Sequence, residues 1–315
     1  MARAGRYGRR ALLAGALVAL GSGGSRGFAD RPVPELPLQW ELERFLALLA
    51  NEGLPPHKLR LALAAAERYL PASILAECAR RATEAGVGEA DFLAYNLVEA
   101  LPVSVDLLSC YLPRVLAFAL ARQGRQHGLV GTALLPVLGG LGWEEGVGCS
   151  GLAGGARLGW HLGANAGLLV VCLAEAGAAW LGAGAPPTLM ARLALQYARS
   201  RQGALDQLGR VAASRACRFL LYDCVYGRAT MAEVGRSWRV WEPSAPVAVV
   251  AAPYALPAPS GVLRESLEAN LGWLTAEKAV ALLAESLPGS TLVVLDADER
   301  RGLLAGGAAV QEIGW

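Results

Sequence analysis

In the stretch Gly148-Cys149-Ser150-Gly151-Leu152-Ala153-Gly154-Gly155-Ala156-Arg157-Leu158-Gly159-Trp160-His161-Leu162-Gly163-Ala164-Asn165, small residues surround one cysteine. Paired glycines split two short apolar runs, so the pattern predicts a hairpin: a strand from Cys149, a turn at 154–156 and a return strand over 157–163. A thiol on the first residue of a strand, with glycine before it, suits a self-cleavage chemistry. Breaking the bond before Cys149 would free an α-amine, which titrates near ~7.7–8.0 and could act as base for the thiol of the same residue. The plainer reading is a small cysteine packed among glycines. His161, in the return strand, is a candidate acid or base, and a satisfied strand histidine is its structural alternative.

Gly148-Cys149-Ser150 followed by Gly163-Ala164-Asn165 resembles the start of the mature catalytic chain in the acyl-coenzyme A:6-aminopenicillanic-acid acyltransferase family. Those proteins are cysteine-type Ntn hydrolases, related to the acid ceramidase and acylethanolamine amidase group. Residues 186–208, the segment from Leu220-Leu221-Tyr222-Asp223 to Gly227 and Glu233, and residues 266–285 follow in that family's order. Gly86 to Leu97 is similar to the family's turn and helix ahead of the nucleophile, with Asn96-Leu97 at the helix end.

The resemblance implies a four-layer αββα sandwich with Cys149 as nucleophile and Asn165 as the asparagine of the Gly-Arg/Gln-Asn-X-Asp signature. It implies attack on an amide or thioester carbonyl, an acyl-enzyme, and transfer of the acyl group to water or an amine, with no metal and no organic cofactor. The partner would be a small-molecule or lipid-like acyl substrate. The chain also departs from the pattern. Ala164 stands at the Arg/Gln position and Gly167 at the Asp position. Ala252 and Pro253 fall where family members carry the Asn and His of Thr-Asn-His, the Asn being an oxyanion donor. Losing one such donor costs roughly 10²–10³ in rate. Two alternatives therefore stay open: a non-catalytic member that keeps the fold and binds a ligand or partner, and an unrelated α+β protein in which Cys149 is only core.

The positioning elements are read from periodicity. Helices are expected over 38–49, 56–69 and 74–85, the last stopped by Gly86 and Gly88. Residues 107–122 look helical and 129–141 are apolar, so 103–142 reads as an inserted helical pair. Strands are expected over 168–173, 178–181, 216–223, 228–234, 238–241 and 247–251, with helices at 189–200 and 202–211 between them. Helices over 265–274 and 276–285, the second capped by Thr275, precede a last hairpin of 291–295 with 301–304. Strand runs and helix pairs in this order give an α+β fold, two sheets between two helical layers. The domain reading is an export signal at 1–29, a helical N-terminal segment over 30–148 and an Ntn-hydrolase-like αββα domain over 149–315.

Five of the 29 basic residues lie in 1–29 with no acid, leaving 24 basic against 27 acidic residues, or −3, over the rest. That balance offers no nucleic-acid surface. Tyr7-Gly8-Arg9-Arg10, an apolar run to Leu20 and the exit Gly27-Phe28-Ala29 read as a secretory signal of the twin-arginine kind, with an uncleaved anchor as the alternative. The mature chain would then be periplasmic or extracellular, without an integral membrane span. Six cysteines show no CxxC metal pair, and His57, His127 and His161 are too far apart for a zinc motif.

Overall fold

The structure, a computed structural model, describes residues 38–315 apart from 136, 138, 139, 252–256, 307 and 308. The export signal, Ala252 and Pro253 lie outside the described residues. Four helices come first: α1 (Leu38–Asn51), α2 (Pro56–Glu67), α3 (Ala72–Ala85) and α4 (Glu89–Asn96). Proline at the start of α2 presets the helical φ, and Gly86 ends α3 in the left-handed region at φ 67°. A 3-10 turn (Val98–Ala100) and the short α5 (Val105–Ser109) follow, with the Ser104 hydroxyl accepting from the Leu107 amide.

From here the segment 103–142 departs from the helical pair expected for it. It supplies β1 (Val115–Leu120), β2 (Leu129–Leu134) and the start of β3 (Leu141–Gly146). All residues of β1 and β2 are buried, because both strands lie inside a sheet covered on both faces. A strand of that kind shows no alternation, and a leucine- and alanine-rich run then looks helical in sequence.

The remaining elements are β4 (Cys149–Gly154), β5 (Trp160–Asn165), β6 (Leu168–Ala174), α6 (Pro187–Tyr197), α7 (Arg201–Arg210), β7 (Cys217–Asp223), β8 (Arg228–Val234), β9 (Arg239–Trp241), β10 (Val247–Ala251), α8 (Pro257–Ala269), α9 (Ala276–Ser286), β11 (Thr291–Asp296), β12 (Arg301–Gly306) and β13 (Ala309–Gly314). The strand expected at 178–181 is reduced to an isolated bridge between Trp180 and Arg215. The helix expected at 265–274 begins and ends earlier, as α8, and β13 extends the last hairpin. Thr275 caps α9 as expected, its hydroxyl accepting from the Lys278 amide.

The strands form two antiparallel sheets, one in the order β10-β1-β2-β11-β12-β13 and the other β3-β4-β5-β6-β7-β8-β9. Alternation along each strand divides the core into three. Val115, Ala117, Leu152, Leu162, Leu169 and Leu220 fill the space between the sheets. The other face of the seven-stranded sheet, through Ala153, Trp160, Val170 and Phe219, packs on α1–α4, α6 and α7. The other face of the six-stranded sheet, through Leu116, Phe118 and Val294, packs on Leu263 and Leu267 of α8 and Leu283 of α9. The molecule is an α+β sandwich with helices outside and two sheets inside, the four layers expected.

Candidate active site

Cys149 opens β4, as the hairpin pattern requires, and pairs with two strands. Its neighbour in β3 is Gly146 and its neighbour in β5 is Asn165. Between Gly146 and Cys149 only Val147 and Gly148 remain, a tight turn in which Gly148 takes φ 65° and Val147 is 90% exposed. Positive φ at the second turn residue is what glycine allows without a Cβ penalty. The Cys149 thiol turns back and donates to the Val147 carbonyl at 3.5 Å. The ring of atoms so closed contains the Gly148–Cys149 peptide.

The glycines around the cysteine have a structural cause. A Cβ on Gly151 would lie 2.5 Å from the Trp160 ring, one on Gly163 3.0 Å and one on Gly146 3.1 Å. These three positions together make the seat of one fully buried indole. Trp160 reaches that seat because the β4–β5 register shifts between Leu152 and Ala153, which aims it at the helical layer instead of the space between sheets. Arg192 of α6 stacks over the indole, 5.0 Å from its centroid.

Asn165 faces the helices beside Cys149, and its amide is fully engaged. Nδ2 donates to the carbonyls of Leu195 and Ala198 at 2.7 Å each, and Oδ1 accepts from the Gly167 amide at 2.9 Å. The asparagine thus ties the end of α6 to the β5–β6 turn. Gly167 is left no room for a side chain, since a Cβ there would stand 2.2 Å from the Arg199 carbonyl oxygen. Ala164 faces the other way, into the space between the sheets. His161 lies four residues along β5 from Asn165, roughly 13 Å at ~3.3 Å per residue. Burial, helped by the Arg157 charge, pulls its pKa down to about 3, so it is neutral at physiological pH.

The ionisable groups near the thiol come from far along the chain. Arg192 is buried: Nη2 pairs with Glu77 of α3 at 2.6 Å, Nη1 donates to the Leu158 carbonyl at 3.1 Å, and Nε has no partner. Arg81, one turn beyond Glu77, pairs with it at 3.0 Å and reaches both oxygens of Glu144 in β3 at 3.1 Å. Arg199 lies exposed above the turn, its Nη2 3.0 Å from where a Cβ on Gly148 would be. Burial pushes the Cys149 thiol up, the charges of Arg192 and Arg199 pull it down, and Glu77 adds to the rise. The net direction is upward, so the resting thiol is protonated at neutral pH. These residues carry no local sequence signal, because α3 and α6 meet β4 only in the fold.

The N-terminal helices are locked over this site by a buried carboxylate. Glu99 accepts from the Thr188 hydroxyl and amide and pairs with Arg157 at 3.2 Å. Asn96, at the end of α4, accepts from the Leu158 amide at 2.6 Å, so this helix holds the β4–β5 turn.

Metal-ligating types gather elsewhere. His127, Asp296 and Asp298 bring one ligand atom each within 4.8 Å of one another. All four carboxylate oxygens are engaged, however: Asp296 with His127 and the amides of Asp298 and Glu299, Asp298 with Arg122 and the Gly128 amide. The cluster joins two turns at one end of the sandwich. All six cysteines are free. A cleft of about 390 Å³ opens where β8 and β9 face β10, walled by Met231, Trp241, Arg218 and Arg264 among others, and Cys149 takes no part in it. Among the described residues no helix is long and apolar enough to cross a membrane.

No family model and no curated protein matches the chain. Among solved structures it is similar to a Caenorhabditis elegans N-acylethanolamine-hydrolyzing acid amidase ortholog, with a TM-score of 0.45 and 12% identity, over 58% of this chain and 93% of that one.

Proposed function

We propose that the chain is a self-processing Ntn-type amidohydrolase or acyltransferase with Cys149 as its nucleophile. One observation carries this reading. The thiol sits on the first residue of a sandwich strand and is folded back over the Gly148–Cys149 peptide, in an exposed turn beneath the Arg199 guanidinium. Attack of Sγ on the Gly148 carbonyl carbon would break the bond to the Cys149 nitrogen, which takes the thiol proton. Water then opens the thioester, leaving a Gly148 carboxylate and a Cys149 with both a free amine and a free thiol. In the cut chain that amine serves as base, and the same sulfur attacks the carbonyl of an amide or thioester substrate. Guanidinium groups next to the reacting carbonyl would stabilise the developing oxyanion, the part that Ala252 does not supply. Glu77 brings a carboxylate to the neighbourhood where Gly167 cannot. Export by the twin-arginine route accords with folding and cleavage before translocation.

A second reading has an observation of its own. Asn165 spends every amide hydrogen on helix carbonyls and Gly167 has no space for a carboxylate, which favours a non-catalytic protein that keeps the fold to bind a ligand or partner. Labelling with a thiol-reactive acyl probe separates the two. Labelling of Cys149 that vanishes in Cys149→Ala supports the enzyme, and an unlabelled, uncut and fully stable chain supports the binder.

A further inference from the structure

Arg199 is exposed yet held in one place. Its Nη1 donates to the carbonyls of Leu195 at 2.9 Å, Ala198 at 3.2 Å and Gln196 at 3.5 Å, closing the end of α6. Its main-chain carbonyl rests on Gly167, and Nη2 is turned toward the Val147–Gly148 turn. Deeper on the same side, Arg192 is 3% exposed and its Nε–H has no acceptor. A buried guanidinium N–H without a partner is costly, and an incoming oxygen would remove that cost. Arg81 and Arg192 are matched by the carboxylates of Glu77 and Glu144, whereas Arg199, bonded to backbone carbonyls, makes no ion pair among the described residues. Guanidinium is the group best shaped to hold a carboxylate, through paired N–H donors.

We propose that Arg199 receives a carboxylate carried by the substrate, with Arg192 Nε left for the amide oxygen. The compounds taken at Cys149 are then N-acyl amino acids, amides with an anionic group close to the scissile bond, in preference to uncharged amides. This rests on the reading of Cys149 as an acyl-transfer site. The exposed Arg199 guanidinium stands at the turn that carries the thiol, which matches an amphiphile whose charge lies beside the amide and not at the far end of the acyl chain.

The test compares N-lauroylglycine with N-lauroylethanolamine, equal in acyl chain and different in charge, by calorimetric titration of the purified full chain. The expected result is binding of the glycine conjugate at least about tenfold tighter, the worth of one charge-assisted pair. That preference should shrink as salt is added, and shrink in Arg199→Gln, with Arg199→Lys in between. Equal affinity, a preference for the ethanolamide, or no binding of the glycine conjugate overturns the proposal, and these outcomes need no variant to fold. Turnover is scored separately. A binding preference without hydrolysis upholds the carboxylate site and sinks the catalytic reading, whereas hydrolysis of both compounds at equal kcat/KM upholds catalysis and sinks the carboxylate site.

Discussion

Gly146, Gly151 and Gly163 show how much a local pattern conceals. In sequence they read as the small-residue surroundings of a nucleophile, and in the fold the Trp160 indole lies against all three, with Leu195 closer still to Gly163. Gly151→Ala would place a methyl 2.5 Å from the ring, and overpacking of this kind costs about 1–3 kcal/mol. A lowered melting temperature in Gly151→Ala is the expected outcome, and adding Gly151→Ala to Trp160→Leu should cost less than adding it to the native chain. An unchanged melting temperature would show that the indole is not seated there. The position of Cys149 at the head of a strand was legible from short-range alternation and turn chemistry; its pairing with Asn165 was not, because the return strand expected over 157–163 runs instead from Trp160 to Asn165. Arg192 and Glu77 were not, since nothing in a helix sequence says which distant strand it will cover. Along the chain Gly167 leaves the signature aspartate without a replacement, and in space α3 delivers Glu77 to the buried Arg192.

At the scale of elements, β1 and β2 are the instructive misreading. A strand covered on both faces has no polar side, so alanine and leucine repeat without the period that marks a strand. The β4–β5 and β7–β8 hairpins were easier, since each shows its turn glycines and short apolar runs, whereas β3 lay partly in the segment read as helical. Turns at the far end of β1 and β11 are joined by His127, whose Nδ1 lies 2.9 Å from Asp296. The hydrogen bond to Asp296, and then the charges of Asp296, Asp298 and Glu299, raise the His127 pKa against a weaker desolvation effect. Because the folded value lies above the unfolded ~6.5, the pair contributes fully below that pH and the contribution is lost as pH rises through the folded pKa. His127→Asn should therefore lower the melting temperature more at about pH 5 than at about pH 9, read by thermal denaturation across that range. A loss that grows with pH would reverse the assigned sign.

For the molecule as a whole, the placement of the candidate cleavage bond matters most. The segment from 38 to 147 is not a separable leader. It provides β1 and β2, which stand between β10 and β11 in one sheet, and β3, which borders β4 in the other. Glu144 adds its double contact to Arg81, and Glu99 holds the helical layer to Arg157 and Thr188. After a cut, both fragments would remain one folded body. Size-exclusion chromatography in native buffer should give a single peak containing both pieces, which separate only in denaturant. Fragments that part under native conditions would contradict the interleaved sheets. The four-layer name came with the family resemblance, and the α+β class was legible from the sequence of strand runs and helix pairs. The crossing of the early strands into both sheets was not, since strand order depends on long-range pairing that no local window contains.

The central claim is that Cys149 becomes an amino terminus. Intact-mass analysis of the purified full chain, run beside Cys149→Ala under denaturing conditions, tests it directly. Two masses are expected for the native sequence, divided between Gly148 and Cys149, and one for the variant. A native chain that stays whole over time, or is cut at any other bond, contradicts it.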